Sequence, residues 1–104
     1  MDTIDRLERI IAERFKAEPE TSYVAKLHCM GEDAVARKVG EEAIELIVAH
    51  LCGTREEEIS EAADLVFHLL ILLAEQDIPF SGVLAELDRR EGTSGLVEKA
   101  SRGA

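Results

Sequence analysis

The stretch KVGEEAIELIVAHL, residues 38–51, constrains the fold most because acidic residues interrupt an otherwise apolar helical segment. Glu41, Glu42 and Glu45 fall close together on the helix surface, where carboxylates repel one another. The same face turns apolar at Val48, one turn further on. A face exposed only to water would stay polar. The acids are therefore expected to face other protein groups or a ligand.

A second helical stretch repeats the pattern. The segment EAADLVFHLLILLAE, residues 61–75, is apolar nearly all round, yet Glu61, Asp64 and His68 share a narrow face. Helices joined by a short connection pack antiparallel, so the acids of the two segments are expected to meet. By itself, a histidine in such a position is more often a core residue than a ligand.

A cluster of Glu41, Glu42, Glu45, Glu61 and Asp64 would be costly without compensation. At roughly 5 Å and an effective dielectric constant of about 20, each pair of charges costs about 3 kcal/mol. A whole domain is stable by only about 5–15 kcal/mol. Some acids must be protonated or a cation must lie among them, and oxygen ligands favour Mg²⁺ or Mn²⁺. The alternative is a solvated acidic face, which is what most glutamate-rich helices present.

Local signals predict an all-α chain without a sheet. The apolar spacing gives a helix entered at Asp2 or Thr3, and Ser22 caps a short helix that ends at Gly31. A long helix follows over residues 32–51. Gly53 then suits a left-handed position after the helix, and the segment from Thr54 to Glu57 reads as a capping box. Pro79 marks the next turn, and Ser81 caps a last helix with Val83, Leu84 and Leu87 on its inner side.

These helices predict a helical hairpin protomer that pairs into a dimer of the four-helix-bundle type. Apolar residues cover the whole circumference of the helix at 56–75, more than two neighbouring helices can hide. Two-fold pairing would bury that surface. It would also let basic residues of one chain reach phosphate bound by the other chain, and the candidates are Arg89, Arg90, Lys99 and Arg102. We expect one domain over residues 1–91 and a flexible C-terminal tail over 92–104.

Charge and composition exclude several classes of function. The 104 residues carry a net charge of −10, which argues against nucleic-acid binding. The longest apolar run, LVFHLLILLA, is too short to span a membrane. The start MDTIDRLERI has no apolar leader, and two cysteines form no disulfide framework. The expected location is the cytoplasm.

The acidic motifs resemble a known signature. E-E-x-x-E at 41–45 followed by E-x-x-D at 61–64 is similar to the Mg²⁺-binding signature of the all-α nucleoside triphosphate pyrophosphatases, the MazG-like superfamily. Within it, the strings SYVAKL, RKVGEEAIELIVA and EAADLVFHLLILLAE resemble the phosphoribosyl-ATP pyrophosphohydrolase family over about residues 4–91. The resemblance implies Mg²⁺-dependent hydrolysis of the α–β phosphoanhydride of phosphoribosyl-ATP, a step of histidine biosynthesis. It also implies a cytoplasmic homodimer.

The same resemblance implies roles for individual residues. The implied metal ligands are Glu42, Glu45, Glu61 and Asp64. Glu41 would be a further ligand or the catalytic group that orients water, and the phosphate-binding residues would be Lys38, Lys26 and Arg37. The chain departs from the family at Met30 and Ala34, where members often carry lysine.

Two other functions fit parts of the pattern. A house-cleaning MazG-like nucleoside triphosphate pyrophosphatase would share the metal chemistry and differ in the pocket for base and ribose. A non-enzymatic acidic helical dimerisation module would show no specific response to Mg²⁺.

Overall fold

The computed structural model describes residues 2–91, and this part of the chain is all-helical. The five helices are α1 (Thr3–Arg14), α2 (Tyr23–Met30), α3 (Glu32–Cys52), α4 (Arg55–Ala74) and α5 (Phe80–Arg90). Residues 2–91 contain no strand, so the predicted all-α class without a sheet is confirmed for this part of the chain. No helix among them has both the length and the apolar character needed to cross a bilayer.

The centre of the fold is the hairpin of α3 and α4, which has the most extensive helix pairing. A connection of only two residues, Gly53 and Thr54, separates these long helices, so they run antiparallel. Helix α1 packs against α4, and α2 packs against α3. The buried core draws on these four helices: Ile11, Val24, Leu27, Val35, Leu70 and Ile71.

The predicted caps at three helix starts are confirmed. Asp2 accepts a hydrogen bond from the backbone N–H of Asp5, and Ser22 accepts one from Ala25. The Thr54 hydroxyl accepts from the backbone N–H of Glu57 at 3.1 Å, while the Glu57 carboxylate accepts from the backbone N–H of Thr54 at 2.8 Å. This reciprocal box satisfies helix N–H groups that have no partner in the first turn.

Gly53 does not adopt the predicted left-handed conformation. Its φ is −103° and its ψ is −173°, which is extended backbone. Glycine is needed here for space: a Cβ would lie 2.9 Å from both the Ala49 carbonyl oxygen and the Glu57 carboxylate. The turn is therefore too tight for a side chain. In the described residues, positive φ angles occur instead at Gly31, at 100° between α2 and α3, and at Asp77, at 56°.

The predicted start of the last helix was also wrong. Helix α5 begins at Phe80 with Pro79 as its cap, rather than after Ser81. The Phe80 N–H donates to the Glu8 carboxylate of α1 at 2.7 Å, a long-range contact that local sequence signals do not reveal. Leu84 and Leu87 are 47% and 54% exposed instead of facing inward, and no residue of α5 is fully buried. Val83 is partly buried.

The surplus of exposed apolar surface lies mainly on α3, whereas the sequence placed it on α4. Of the apolar residues from Leu65 to Leu73, only Val66 is classed as exposed, at 38%. Helix α3 instead exposes one stripe at helical spacing, which we call the α3 apolar stripe: Ile44, Ile47, Val48 and Leu51. The predicted flexible tail, 92–104, lies outside the described residues, and the domain boundary at 91 stays a prediction.

Candidate active site

Three carboxylates from the hairpin converge. Glu42 and Glu45 on α3 and Glu61 on α4 each offer one oxygen, and these oxygens lie within 4.8 Å of one another. Residues three apart share a helix face, and the antiparallel arrangement of α4 brings Glu61 opposite them. We call this set the three-acid group. The predicted meeting of acids from two helices is thus present for these three residues.

Two oxygens of the three-acid group are buried without a hydrogen-bond partner within the described part of the chain: Oε2 of Glu42 and Oε2 of Glu61. Glu42 is only 5% exposed, and its other oxygen lies 3.2 Å from the Lys38 ammonium group. That contact raises the pKa of Lys38, so the lysine keeps its charge. Buried carboxylate oxygens without a donor are costly, which makes them candidates to hold a cation.

The raised pKa of Glu61 also indicates a candidate cation site. Burial raises the pKa of Glu61, and the nearby carboxylates of Glu45, Asp64, Glu42 and Glu57 raise it further. The negative form of this group is thus disfavoured by the fold itself. A divalent cation among these oxygens would reverse that effect. Carboxylate oxygens from two helices are the ligands that hard divalent ions prefer, so the residues fit Mg²⁺ or Mn²⁺.

Two further acids lie at the edge of the three-acid group. Asp64 is exposed, and its carboxylate does not belong to the set of converging oxygens, although its charge contributes to the raised pKa of Glu61. Glu41 is also exposed, with its carboxylate 3.8 Å from the Lys38 ammonium group. Lys38 therefore lies between Glu41 and Glu42.

The other predicted basic residues are exposed on α2 and α3, pair within α5, or lie outside the described residues. Arg37 is exposed on α3, and Lys26 is exposed on α2, where it lines a cavity together with Tyr23. Arg89 and Arg90 both bind the Glu86 carboxylate within α5. Lys99 and Arg102 lie outside the described residues. The structure thus brings one of the predicted phosphate-binding residues, Lys38, to the acids.

Sequence reasoning missed Tyr23. Its hydroxyl lies 2.7 Å from Nε2 of His68, and Nδ1 of His68 lies 2.7 Å from the backbone carbonyl oxygen of Asp64. His68 is 5% exposed, as a core histidine is expected to be. Tyr23 stands at the start of a short helix whose position relative to α3 and α4 is set by tertiary packing. No periodic signal could therefore have placed it against His68.

A groove of about 450 Å³ borders the three-acid group and is open to the surface. Acids and apolar side chains both line it: Ile44, Glu45, Val48, Ala49, Cys52, Gly53, Glu57, Ser60 and Glu61. Ile44 and Val48 belong to the α3 apolar stripe, so the exposed apolar surface continues up to the acids. This arrangement can hold a ligand that has both a charged and an apolar part.

Comparison with known proteins gives one consistent result. The family described as phosphoribosyl-ATP pyrophosphohydrolase matches residues 4–91. A curated phosphoribosyl-ATP pyrophosphatase of Rhizorhabdus wittichii is 58% identical over 100 residues, which cover 96% of this chain and 94% of that protein. The protein of that name from Novosphingobium aromaticivorans is 56% identical, covering 97% and 94%. The one from Erythrobacter litoralis is 55% identical, covering 99% of each.

Proposed function

The chain belongs to the phosphoribosyl-ATP pyrophosphohydrolase family, and from this premise we propose that it works through Mg²⁺ held by its acidic hairpin. Its activity is that of a phosphoribosyl-ATP pyrophosphatase, a hydrolase of histidine biosynthesis. The α–β phosphoanhydride is the bond that is cleaved, with phosphoribosyl-AMP and pyrophosphate as products.

The observation that carries the metal proposal is the pair of buried oxygens without donors in the three-acid group. Glu42, Glu45 and Glu61 are the proposed ligands, and Asp64 is a fourth that completes the set from the edge. Such an ion, when bound, supplies neutralisation of charge on phosphate oxygens and lowers the pKa of water. Mn²⁺ has the same preference for oxygen ligands and could replace Mg²⁺.

Basic and acidic groups beside the ligands have complementary roles in the proposal. Lys38 supplies its ammonium group to phosphate, since it already lies at the border of the acids. Glu41, exposed and next to Lys38, accepts the proton of the attacking water. Lys26 and Arg37 are exposed, so they can attract the approaching polyphosphate. A net charge of −10 makes such local positive charge necessary for an anionic substrate.

We further propose a homodimer formed through the α3 apolar stripe. Its four side chains are between 55% and 74% exposed, and an apolar strip of this kind is expected to be covered by a partner. A second copy supplies the same strip through two-fold symmetry. Because Ile44 and Val48 also line the groove beside the acids, the partner would close one wall of the active site.

The free thiols Cys29 and Cys52 are compatible with the proposed reducing cytoplasm.

Hydrolysis of phosphoribosyl-ATP with and without Mg²⁺ tests this proposal. Turnover should require the ion and should be lost when a chelator removes it. A parallel assay with free nucleoside triphosphates separates the house-cleaning alternative, which predicts faster turnover of those nucleotides. Full activity in excess chelator would contradict the metal proposal.

A further inference from the structure

Tyr23 adds a third helix to the candidate active site. It is the first residue of α2 and is 50% exposed. Its hydroxyl reaches Nε2 of His68 at 2.7 Å, and the two rings meet edge to face with centroids 5.6 Å apart. Tyr23 is thus fixed against α4 at its hydroxyl end, while much of its surface remains open to a ligand.

The direction of the hydrogen bond between Tyr23 and His68 follows from the contact that the other ring nitrogen, Nδ1, makes. Nδ1 of His68 lies 2.7 Å from the Asp64 backbone carbonyl, which can only accept, so Nδ1 carries a hydrogen. In a neutral imidazole the other nitrogen is then the acceptor. The Tyr23 hydroxyl therefore donates its hydrogen to Nε2. Its oxygen has lone pairs left and no hydrogen to give to another group.

His68 links this oxygen to the edge of the three-acid group, because the same ring contacts both the Tyr23 hydroxyl and the Asp64 backbone carbonyl. Burial raises the pKa of Tyr23, Lys38 lowers it, and the carboxylates of Glu42, Asp64 and Glu41 raise it further, so the hydroxyl keeps its proton. Tyr23 also lines a cavity of about 600 Å³ with Pro19, Glu20, Thr21, Ser22 and Lys26.

We propose that Tyr23 is a specificity-determining residue whose oxygen accepts a hydrogen bond from a neutral O–H or N–H group of the nucleoside part of the substrate. That donor is a ribose hydroxyl or an N–H of the base. Phosphate oxygens are acceptors, and an oxygen whose hydrogen is committed to His68 cannot bind them. Tyr23 therefore recognises the nucleoside, while Lys38, together with an ion bound by the three-acid group, would bind the phosphates.

The main test is Tyr23→Phe, which keeps the ring and removes only the oxygen. This inference rests on the proposed function, because it assumes that substrate binds at the three-acid group. KM for phosphoribosyl-ATP should rise about two- to tenfold, the size of one neutral hydrogen bond, with kcat little changed. Inhibition by phosphoribosyl-AMP should weaken by the same factor, and inhibition by pyrophosphate should not change. Pyrophosphate is the matched control, since it has phosphate but no nucleoside.

Three results would overturn the assignment. Weaker inhibition by pyrophosphate would mean that Tyr23 binds phosphate. A lower kcat at unchanged KM would mean that it acts on the attacking water. Unchanged kinetics would mean that it has no role in substrate binding. Calorimetric binding of phosphoribosyl-AMP, with and without Mg²⁺, needs no turnover, so it tests Tyr23 even if the metal proposal fails.

The role of His68 as a positioning residue has its own measurement. Nitrogen NMR of the wild-type protein should show a neutral His68 ring with hydrogen on Nδ1. A charged ring, or hydrogen on Nε2, would leave the tyrosine free to donate and would overturn the argument. His68→Phe should raise KM as Tyr23→Phe does, and the double variant should show no further rise.

A 2′-deoxyribose analogue of the substrate distinguishes the donors. The effect of Tyr23→Phe on KM disappears with this analogue if the 2′-hydroxyl is the partner, and it persists if another hydroxyl or the base is the partner.

Discussion

Lys38 and Glu42 form the ion pair that holds one side of the candidate active site together. The ammonium nitrogen lies 3.2 Å from Oε1 of Glu42, one turn away on the same helix. The other oxygen of Glu42 is buried without a hydrogen-bond donor in the described part of the chain. One carboxylate is therefore shared between a lysine and the place where we expect a metal ion.

Lys38→Met should destabilise the metal-free protein. The substitution leaves Glu42 buried without its cation, and we expect a loss of about 1–2 kcal/mol because Lys38 is partly exposed. Mg²⁺ should restore part of this loss. Urea unfolding with and without Mg²⁺ measures both effects. Arg37→Met is the matched control on an exposed neighbour, and an equal loss in the two variants would contradict a specific pairing with Glu42.

Mg²⁺ should stabilise the folded protein against heat. An ion that binds only the folded state at a hundred times its Kd adds about 2.7 kcal/mol. The melting temperature in MgCl₂ should exceed that in NaCl of equal ionic strength. Glu45→Gln should reduce the difference, since Glu45 contributes one of the three converging oxygens. Superimposable melting curves for the wild type in the two salts would remove the basis for the metal site.

Glu45→Gln and Asp64→Asn should each lower turnover strongly without unfolding the chain. Both side chains are exposed, and each substitution removes a repelling charge while keeping the shape. A loss of about 10²–10³ in kcat is typical of removing one group that stabilises transition-state charge. Glu56→Gln, on an exposed acid of the first turn of α4, is the control for net charge. An active Asp64→Asn variant would restrict the metal ligands to the three-acid group.

A charge in the α3 apolar stripe should separate the proposed dimer. Sedimentation equilibrium of the wild type should give about twice the chain mass of 11.5 kDa. Ile47→Glu and Leu51→Glu place carboxylates at positions that are 56% and 74% exposed, so the single chain tolerates them while the interface does not. Ile10→Glu, on α1 and 41% exposed, should leave the mass unchanged. A fully active wild-type monomer at micromolar concentration would contradict the shared site.

Glu86 should show a lowered pKa that depends on its two arginine neighbours. Hydrogen bonds from Arg89 and Arg90 lower the pKa of this carboxyl to about 2. Because the pKa is lowered on folding, its contribution to stability is present above the ordinary glutamate value and is lost as the pH falls through about 2. NMR titration of the side chain measures the value. Replacing both arginines with glutamine should return it towards 4.5, and an unchanged value would assign the shift to another cause.

The sequence predicted those features that neighbouring residues determine together. The capping box at Thr54 and Glu57 needs only four consecutive residues, and the apolar spacing gave each helix its place. The start of α5 was misplaced because the Glu8 carboxylate, 72 positions away, binds its first N–H group. Long-range contacts of this kind leave no local pattern.

The convergence of the three acids could be predicted from the sequence, whereas the positions of Asp64 and Tyr23 could not. Glu42 and Glu45 share a face of α3 that helix geometry gives directly, and the short connection predicted that Glu61 of α4 would meet them. The exposed position of Asp64 depends on the relative rotation of two packed helices, which spacing along the chain does not fix. Tyr23 depends on how α2 packs, and nothing in its own helix indicates a contact with His68.

The close approach at Gly53 means that the number of residues in this turn matters to the active site as much as the identity of its acids. The carbonyl oxygen of Ala49 and the carboxylate of Glu57 leave no space for a Cβ there, and two residues span the whole connection. A single inserted residue that extended α4 would turn Glu61 by about 100° around its helix axis. Surface loops usually tolerate insertions, yet this one sets the angle at which the two halves of the site meet. We therefore expect that loop grafting or circular permutation at residues 53–54 would preserve the five helices but abolish the enzymatic activity.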